Sequence, residues 1–137
     1  MECLHQLLKV YVISELQYTY DALRASSPLK KTFMEQRAIE RSDFVLDIWR
    51  TVTRNNGKGT LTDLYNLHRQ LYGEDYLHTH SPLPINMSVL DRKALEICNC
   101  MLLLDIPDAL RFLLTEQVRQ IESSLLGLVY IQSLTEN

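Results

Sequence analysis

The sequence predicts an all-α protein: a single compact bundle of five or six helices with one long loop at about 74–87. Three observations carry the prediction. Apolar residues recur at spacings of 3 and 4 nearly everywhere, and no stretch sustains the period-2 alternation of a half-buried strand. Only 4 Gly and 4 Pro punctuate the chain of 137 residues, so the breaks between elements are few. Apolar residues make up 46% of it, enough to bury one core, and the length suits one domain, 1–137.

The first helix is expected over about 2–25. Leu4, Leu7, Leu8, Tyr11 and Tyr18 share one face, while Val10, Val12, Ile13 and Leu16 make much of the rest apolar. A helix apolar on most sides is enclosed by neighbours or by a partner chain. The break falls at Ser26-Ser27-Pro28. The second helix is expected over about 29–54, ending at Asn55-Asn56-Gly57-Lys58-Gly59, where Asn and Gly tolerate the left-handed C-cap conformation. Thr60 suits the N-cap of a short third helix over 60–72, with Asp63 three positions on.

Residues 74–86 are polar and contain Pro82 and Pro84, which makes them the long connection. Ser88 is the expected next N-cap, again with an acid, Asp91, three residues on. The helix over 89–104 becomes apolar all round at Met101-Leu102-Leu103-Leu104, the pattern of a central buried helix. Pro107 suits the first turn of a last helix over 107–134, with Asp108 complementing its N-terminal dipole. Leu110, Leu114, Val118, Ile121, Leu125 and Leu128 form its stripe.

The charge pattern narrows the function classes. The net charge of -3 argues against general neutralisation of nucleic-acid phosphate. The balance is uneven: residues 1–70 hold 10 Lys+Arg against 8 Asp+Glu, and residues 71–137 hold 4 against 9. Three cysteines, Cys3, Cys98 and Cys100, form no disulfide framework, and the acidic N-terminal stretch lacks the basic start of a signal peptide. These features point to an intracellular protein, cytoplasmic or nuclear, with no membrane span.

Candidate sites follow from residue type and spacing. On a helical projection Lys30, Arg37 and Arg41 lie within roughly 40° of one another, with Phe44, Ile48 and Val52 continuing the stripe. Together with Arg50 and Arg54 they are candidates to bind an acidic partner or phosphates; alternatively the arginines are solvated and paired with acids such as Glu40. Tyr11, Tyr18, Tyr20 and Trp49 are candidate interface residues, since aromatic rings offer large contact area at low entropy cost, although core packing uses the same residues.

His78 and His80 form a candidate pH-sensitive loop. No metal or other cofactor is expected. Cys98 and Cys100 would lie about 200° apart around a helix, so one ion cannot take both, and two loop histidines with Glu74 and Asp75 make a weak transition-metal site at best. Gly57-Lys58-Gly59-Thr60 lacks the earlier glycine of a phosphate loop, because position 52 is Val52.

No nucleophile, base and orienting group cluster in the sequence. The expected function is therefore a non-enzymatic protein–protein interaction module: an adaptor or small subunit of a larger complex, a homodimer, or a viral factor engaging a host protein. Its partner would be another protein or a second copy. The alternative is nucleic-acid binding through the basic helical face. A small helical ribonuclease using His68, His78 or His80 comes third.

Overall fold

A computed structural model describes residues 2–55, 66, 69 and 86–135. Within them lie four helices and no strand: α1 (Glu2–Arg24), α2 (Pro28–Asn55), α3 (Met87–Leu102) and α4 (Asp108–Thr135). The all-α expectation holds, and the count among the described residues is four rather than five or six. Of the helix expected over 60–72, only Asn66 and Arg69 are described, both helical and exposed. His78, His80 and the loop around them lie outside the described residues.

The helix ends follow local chemistry. Glu2 in the first turn of α1 and Arg24 in its last complement the helix dipole. Pro28 opens α2 rather than merely breaking α1. Ser27 accepts from the Lys31 amide through its carbonyl (3.0 Å) and from the Lys30 amide through its hydroxyl oxygen (3.4 Å). Proline at the first helical position gives up an amide that had no partner there.

The N-cap of α3 is Asn86, not Ser88: Asn86 Oδ1 accepts from the Ser88 amide at 2.9 Å and from its hydroxyl at 2.8 Å. Asn and Ser cap about equally well as types, and here it is the Asn86 side chain that reaches the free amide, so the helix starts two residues earlier than expected. At the other end of α3, Arg111 from the first turn of α4 donates to the Leu102 carbonyl (2.6 Å) and the Leu104 carbonyl (2.7 Å). Carbonyls left without helical partners are thereby satisfied across the turn.

Each helix packs against two others: α1 against α2 and α3, and α4 against α2 and α3. The helices occupy the corners of a square, with α1 diagonal to α4 and α2 diagonal to α3. Contacts fix the directions. Tyr18 meets Asp91 while Tyr11 meets Cys98, so α1 and α3 run antiparallel. Glu40 meets Ser124 while Phe44 meets Gln117, so α2 and α4 do too. Because α2 and α3 are parallel, the end of α2 and the start of α3 lie at opposite ends of the bundle.

This arrangement corrects two expectations. The helix over 89–104 is not central but occupies one corner. Its far end is buried only in part: Met101 is in the core, but Leu103 is 88% and Leu104 48% exposed, because the helix stops at Leu102 and the next residues turn outward. The wide apolar circumference of α1 is covered within the chain. Leu4, Leu7, Leu8, Tyr11 and Val12 are buried, and Val10, Ile13 and Leu16 pack partly against the core. A helix with two neighbours needs about twice the apolar arc of a helix with one.

The core has two parts. The larger joins the α1 residues above to Phe44, Val45, Ile48 and Val52 of α2, Ala94, Ile97, Cys98 and Met101 of α3, and Leu110, Leu114 and Ile121 of α4. The smaller holds Tyr18, Ala22, Met34, Ala38 and Met87, with Phe33, Leu90 and Leu128 alongside. Between them along every helix lies a polar layer.

Candidate functional site

The polar layer is built from residues that share the inward stripes of their helices. Along α3 the buried stripe runs through Met87, Asp91, Ala94, Cys98 and Met101, at spacings of 4, 3, 4 and 3, with buried Ile97 beside it. Along α2, Met34, Ala38, Arg41, Val45, Ile48 and Val52 continue the same way. Helix period alone therefore carries an arginine and an aspartate into the interior.

Arg41 and Asp91 meet across the α2–α3 diagonal, Nη2 donating to Oδ1 at 3.0 Å, and both side chains are 0% exposed. The other Asp91 oxygen accepts from the Tyr18 hydroxyl at 2.7 Å. Both carboxylate oxygens are thus acceptors, the pattern of an ionised group. Arg41 also donates from Nη1 to Glu40 Oε1 at 2.6 Å, and that oxygen lies 3.2 Å from the Ser124 hydroxyl. The guanidinium sits over the rings of Phe44 (5.0 Å) and Tyr18 (5.6 Å), a further attraction for a desolvated cation. Its Nε has no hydrogen-bond partner among the described residues.

The second diagonal, α1 to α4, is bridged by neutral groups. The Tyr11 hydroxyl donates to Gln117 Oε1 at 2.8 Å and lies 3.4 Å from Cys98 Sγ, while Gln117 Nε2 donates to the Phe44 carbonyl at 3.3 Å. The rings of Tyr11 and Phe44 pack at 5.1 Å with their planes tilted by 55°.

Burial governs the proton affinities of these groups. It pushes the Tyr11 and Tyr18 hydroxyls well above the usual phenol range, with Cys98 and Asp91 respectively adding to the shift. It pushes the Cys98 thiol up to about 11. Burial also raises the Asp91 carboxyl, against the opposing pull of Arg41 and the Tyr18 hydrogen bond. For Arg41, burial favours loss of the proton, but Asp91, Tyr18 and Glu40 together outweigh it and hold the cation. Arg41, Asp91, Tyr18 and Tyr11 are all 0% exposed, so no substrate reaches them in this conformation.

Several expected site residues change role. Arg41 belongs neither to a solvated face nor to a docking face, because its stripe is the one that Phe44, Ile48 and Val52 bury. Arg37 is half-buried, its guanidinium over the Phe33 ring at 5.1 Å and its Nε 3.7 Å from Glu40. Arg50 and Arg54 are exposed farther along α2, and Lys30 is half-buried near its start. The five cations thus do not form one continuous face.

Tyr11 and Tyr18 are core residues rather than interface residues, each using its hydroxyl inside the bundle. Trp49 is partly buried against the larger core. Tyr20 is half-buried at the surface, with Arg24 over its ring at 5.2 Å and donating to its hydroxyl. Asp91, Gln117 and Ser124 were legible only as a capping acid and two neutral helix positions. Their shared register with buried apolar residues was the signal that could have found them.

Where α1 and α4 end and α2 and α3 begin, a groove of about 1220 Å³ opens on the surface. Met34, Met87 and Leu128 lie at its base, and Leu126 and Val129 of α4 stand at one side, 75% and 67% exposed. Arg24, Lys30 and Arg92 line it together with Asp21 and Glu122.

Cys98 is buried and Cys100 exposed, on opposite sides of α3. Among the described residues no three His, Cys, Asp or Glu side chains are grouped to hold a metal ion, and no helix is long and apolar enough to cross a membrane. Comparison with protein-family models, curated proteins and solved structures found no match to this chain.

Proposed function

We propose that the chain is a non-enzymatic protein–protein interaction module, an adaptor or small subunit whose binding face is the C-terminal half of α4 and the groove beside it. One observation carries the reading: Leu126, Val129 and Tyr130, at i, i+3 and i+4 on α4, are 75%, 67% and 63% exposed. Single exposed leucines are ordinary, but three large apolar side chains on one helical face beside a concave surface mark a site that another molecule covers. The ionisable groups with altered proton affinity support the same reading, since they are buried in the interior of the bundle and none of them lines the groove.

The nucleic-acid alternative has less support, because Arg41 is enclosed and Arg37 is engaged by Phe33 and Glu40. The test compares the native chain with a Leu126→Asp, Val129→Asp variant in affinity capture from the native cell, with light scattering on both. The expected result is one or more partners, or a second copy, retained by the native chain and lost by the variant. A native chain that stays monomeric and retains nothing beyond what the variant retains would refute the proposal.

A further inference from the structure

We infer that the groove is a receptor for an amphipathic α-helix of a partner protein, one that carries acidic residues beside its apolar stripe. The inference rests on the interaction-module reading and specifies its ligand. Size is the first argument. A helix about 10 Å across rises about 1.5 Å per residue, which is about 120 Å³ per residue. The groove's volume of about 1220 Å³ exceeds the ~430 Å³ of one turn of such a helix, so it has room for a helical segment. Small-molecule sites run from about 300 to 1,000 Å³ and enclose their ligand, whereas this cavity is larger and lies open between helix ends.

Surface chemistry is the second argument. The base presents the unbranched, polarizable side chains of Met34 and Met87, which adapt to varied apolar knobs, and α4 adds the exposed Leu126 and Val129. An apolar stripe at i, i+3, i+4 and i+7 has the periodicity to fill such a surface.

Charge is the third argument and selects the partner's sign. Lys30 and Arg92 line the groove, and neither has an ion-pair partner among the described residues. Arg24 adds a third cation. Two acids, Asp21 and Glu122, stand against these three cations, so the lining keeps a net positive charge. Carboxylates on the incoming helix satisfy the unpaired cations at the rim, and charges placed there govern encounter rate and choice of partner.

The experiment uses the full chain and fluorescence anisotropy with labelled synthetic helical peptides of about 14 residues, about four turns. One has a leucine stripe flanked by Glu, a second the same stripe flanked by Lys, and a third the Glu composition with the stripe scrambled. The expected result is saturable binding of the Glu-flanked peptide, about 10-fold or more weaker binding of the Lys-flanked one, and none of the scrambled one. A Lys30→Glu, Arg92→Glu variant, verified as folded by circular dichroism, should reverse the preference between the first two.

Absence of saturable binding, or equal affinity for both charge types that the variant leaves unchanged, would overturn the inference. So would displacement of a bound fluorescent probe by oleate but by no peptide, or a concentration-dependent dimer that Leu126→Asp abolishes, since either assigns the groove a different occupant. If the peptides fail while Leu126→Asp, Val129→Asp still loses a captured partner, the module reading stands and only the helix-receptor inference falls.

Discussion

Removing the charge of Asp91 tests the account of the polar layer most directly. Asp91→Asn keeps the shape of the side chain but leaves one acceptor where two are used, by Tyr18 at 2.7 Å and Arg41 at 3.0 Å. Its amide also turns a donor toward one of those two donors. Breaking a buried ion pair from one side costs about 3–5 kcal/mol, because the remaining charge is left without compensation. Glu40, at 2.6 Å from Arg41 with its side chain 21% exposed, retains part of the interaction. The expected loss is therefore near the lower end, about 3 kcal/mol, or about 10 °C in Tm for a chain of this length. Urea unfolding at pH 7 followed by far-ultraviolet circular dichroism measures it.

A double-mutant cycle with Arg41→Met separates the pair from its parts. Each single change strands one buried partner, whereas the double variant strands neither charge. The two effects should then fall short of additivity by about 2 kcal/mol or more. If Asp91→Asn costs less than about 1 kcal/mol, or the two changes add within about 0.5 kcal/mol, the pair is not coupled and the reasoning is wrong.

Three further outcomes follow from other parts of the structure. A Cβ at Gly127 would lie 2.6 Å from Phe33 Cε2 and 2.9 Å from its Cζ, so Gly127→Ala should destabilise the fold by about 1 kcal/mol. In a Phe33→Leu background the clash is gone and the sign should invert, because Ala favours a helix by up to about 1 kcal/mol over Gly; destabilisation in both backgrounds would sink the steric account. At high pH the unfolded chain releases protons that the native Cys98, Tyr11 and Tyr18 retain. The contribution of these three groups should be flat below pH 9, the ordinary thiol value, and then fall by about 1.4 kcal/mol per pH unit for each group that titrates only when unfolded. Urea midpoints that hold constant to pH 11 would contradict this. Leu103→Gln, at a position 88% exposed, should change stability by less than about 0.5 kcal/mol, whereas Met101→Ala, at a fully buried position of the same helix, should cost about 2–5 kcal/mol. Equal costs would mean that the helix end is enclosed after all.

Legibility differed sharply between local and long-range features. Helix type and extent followed from period and breakers, which act over three or four residues, so 2–25, 29–54 and 107–134 matched the described helices to within about one residue. Ser27-Pro28 and Asn86 shifted the starts of α2 and α3, because caps are settled by which side chain reaches a free amide. The inward stripe of α2 was also legible, as Arg41 shares its face with Phe44, Ile48 and Val52. Reading Arg41 as a surface cation came from its type, and its register said otherwise.

What the chain by itself determined is the set of helices and the face each one turns inward, since both depend on neighbours along the helix. What only the tertiary structure decided is how the opposite faces meet. The chain shows an arginine on α2 and an acid fifty positions later on α3, and nothing local distinguishes Asp91 from the solvated acids around it. Their pairing depends on α2 and α3 lying diagonally and parallel, so that the two polar positions reach the axis at one height. The groove arises in the same way. Met34, Met87 and Leu128 come from three separate helices, and a concave surface exists only once those helices stand side by side.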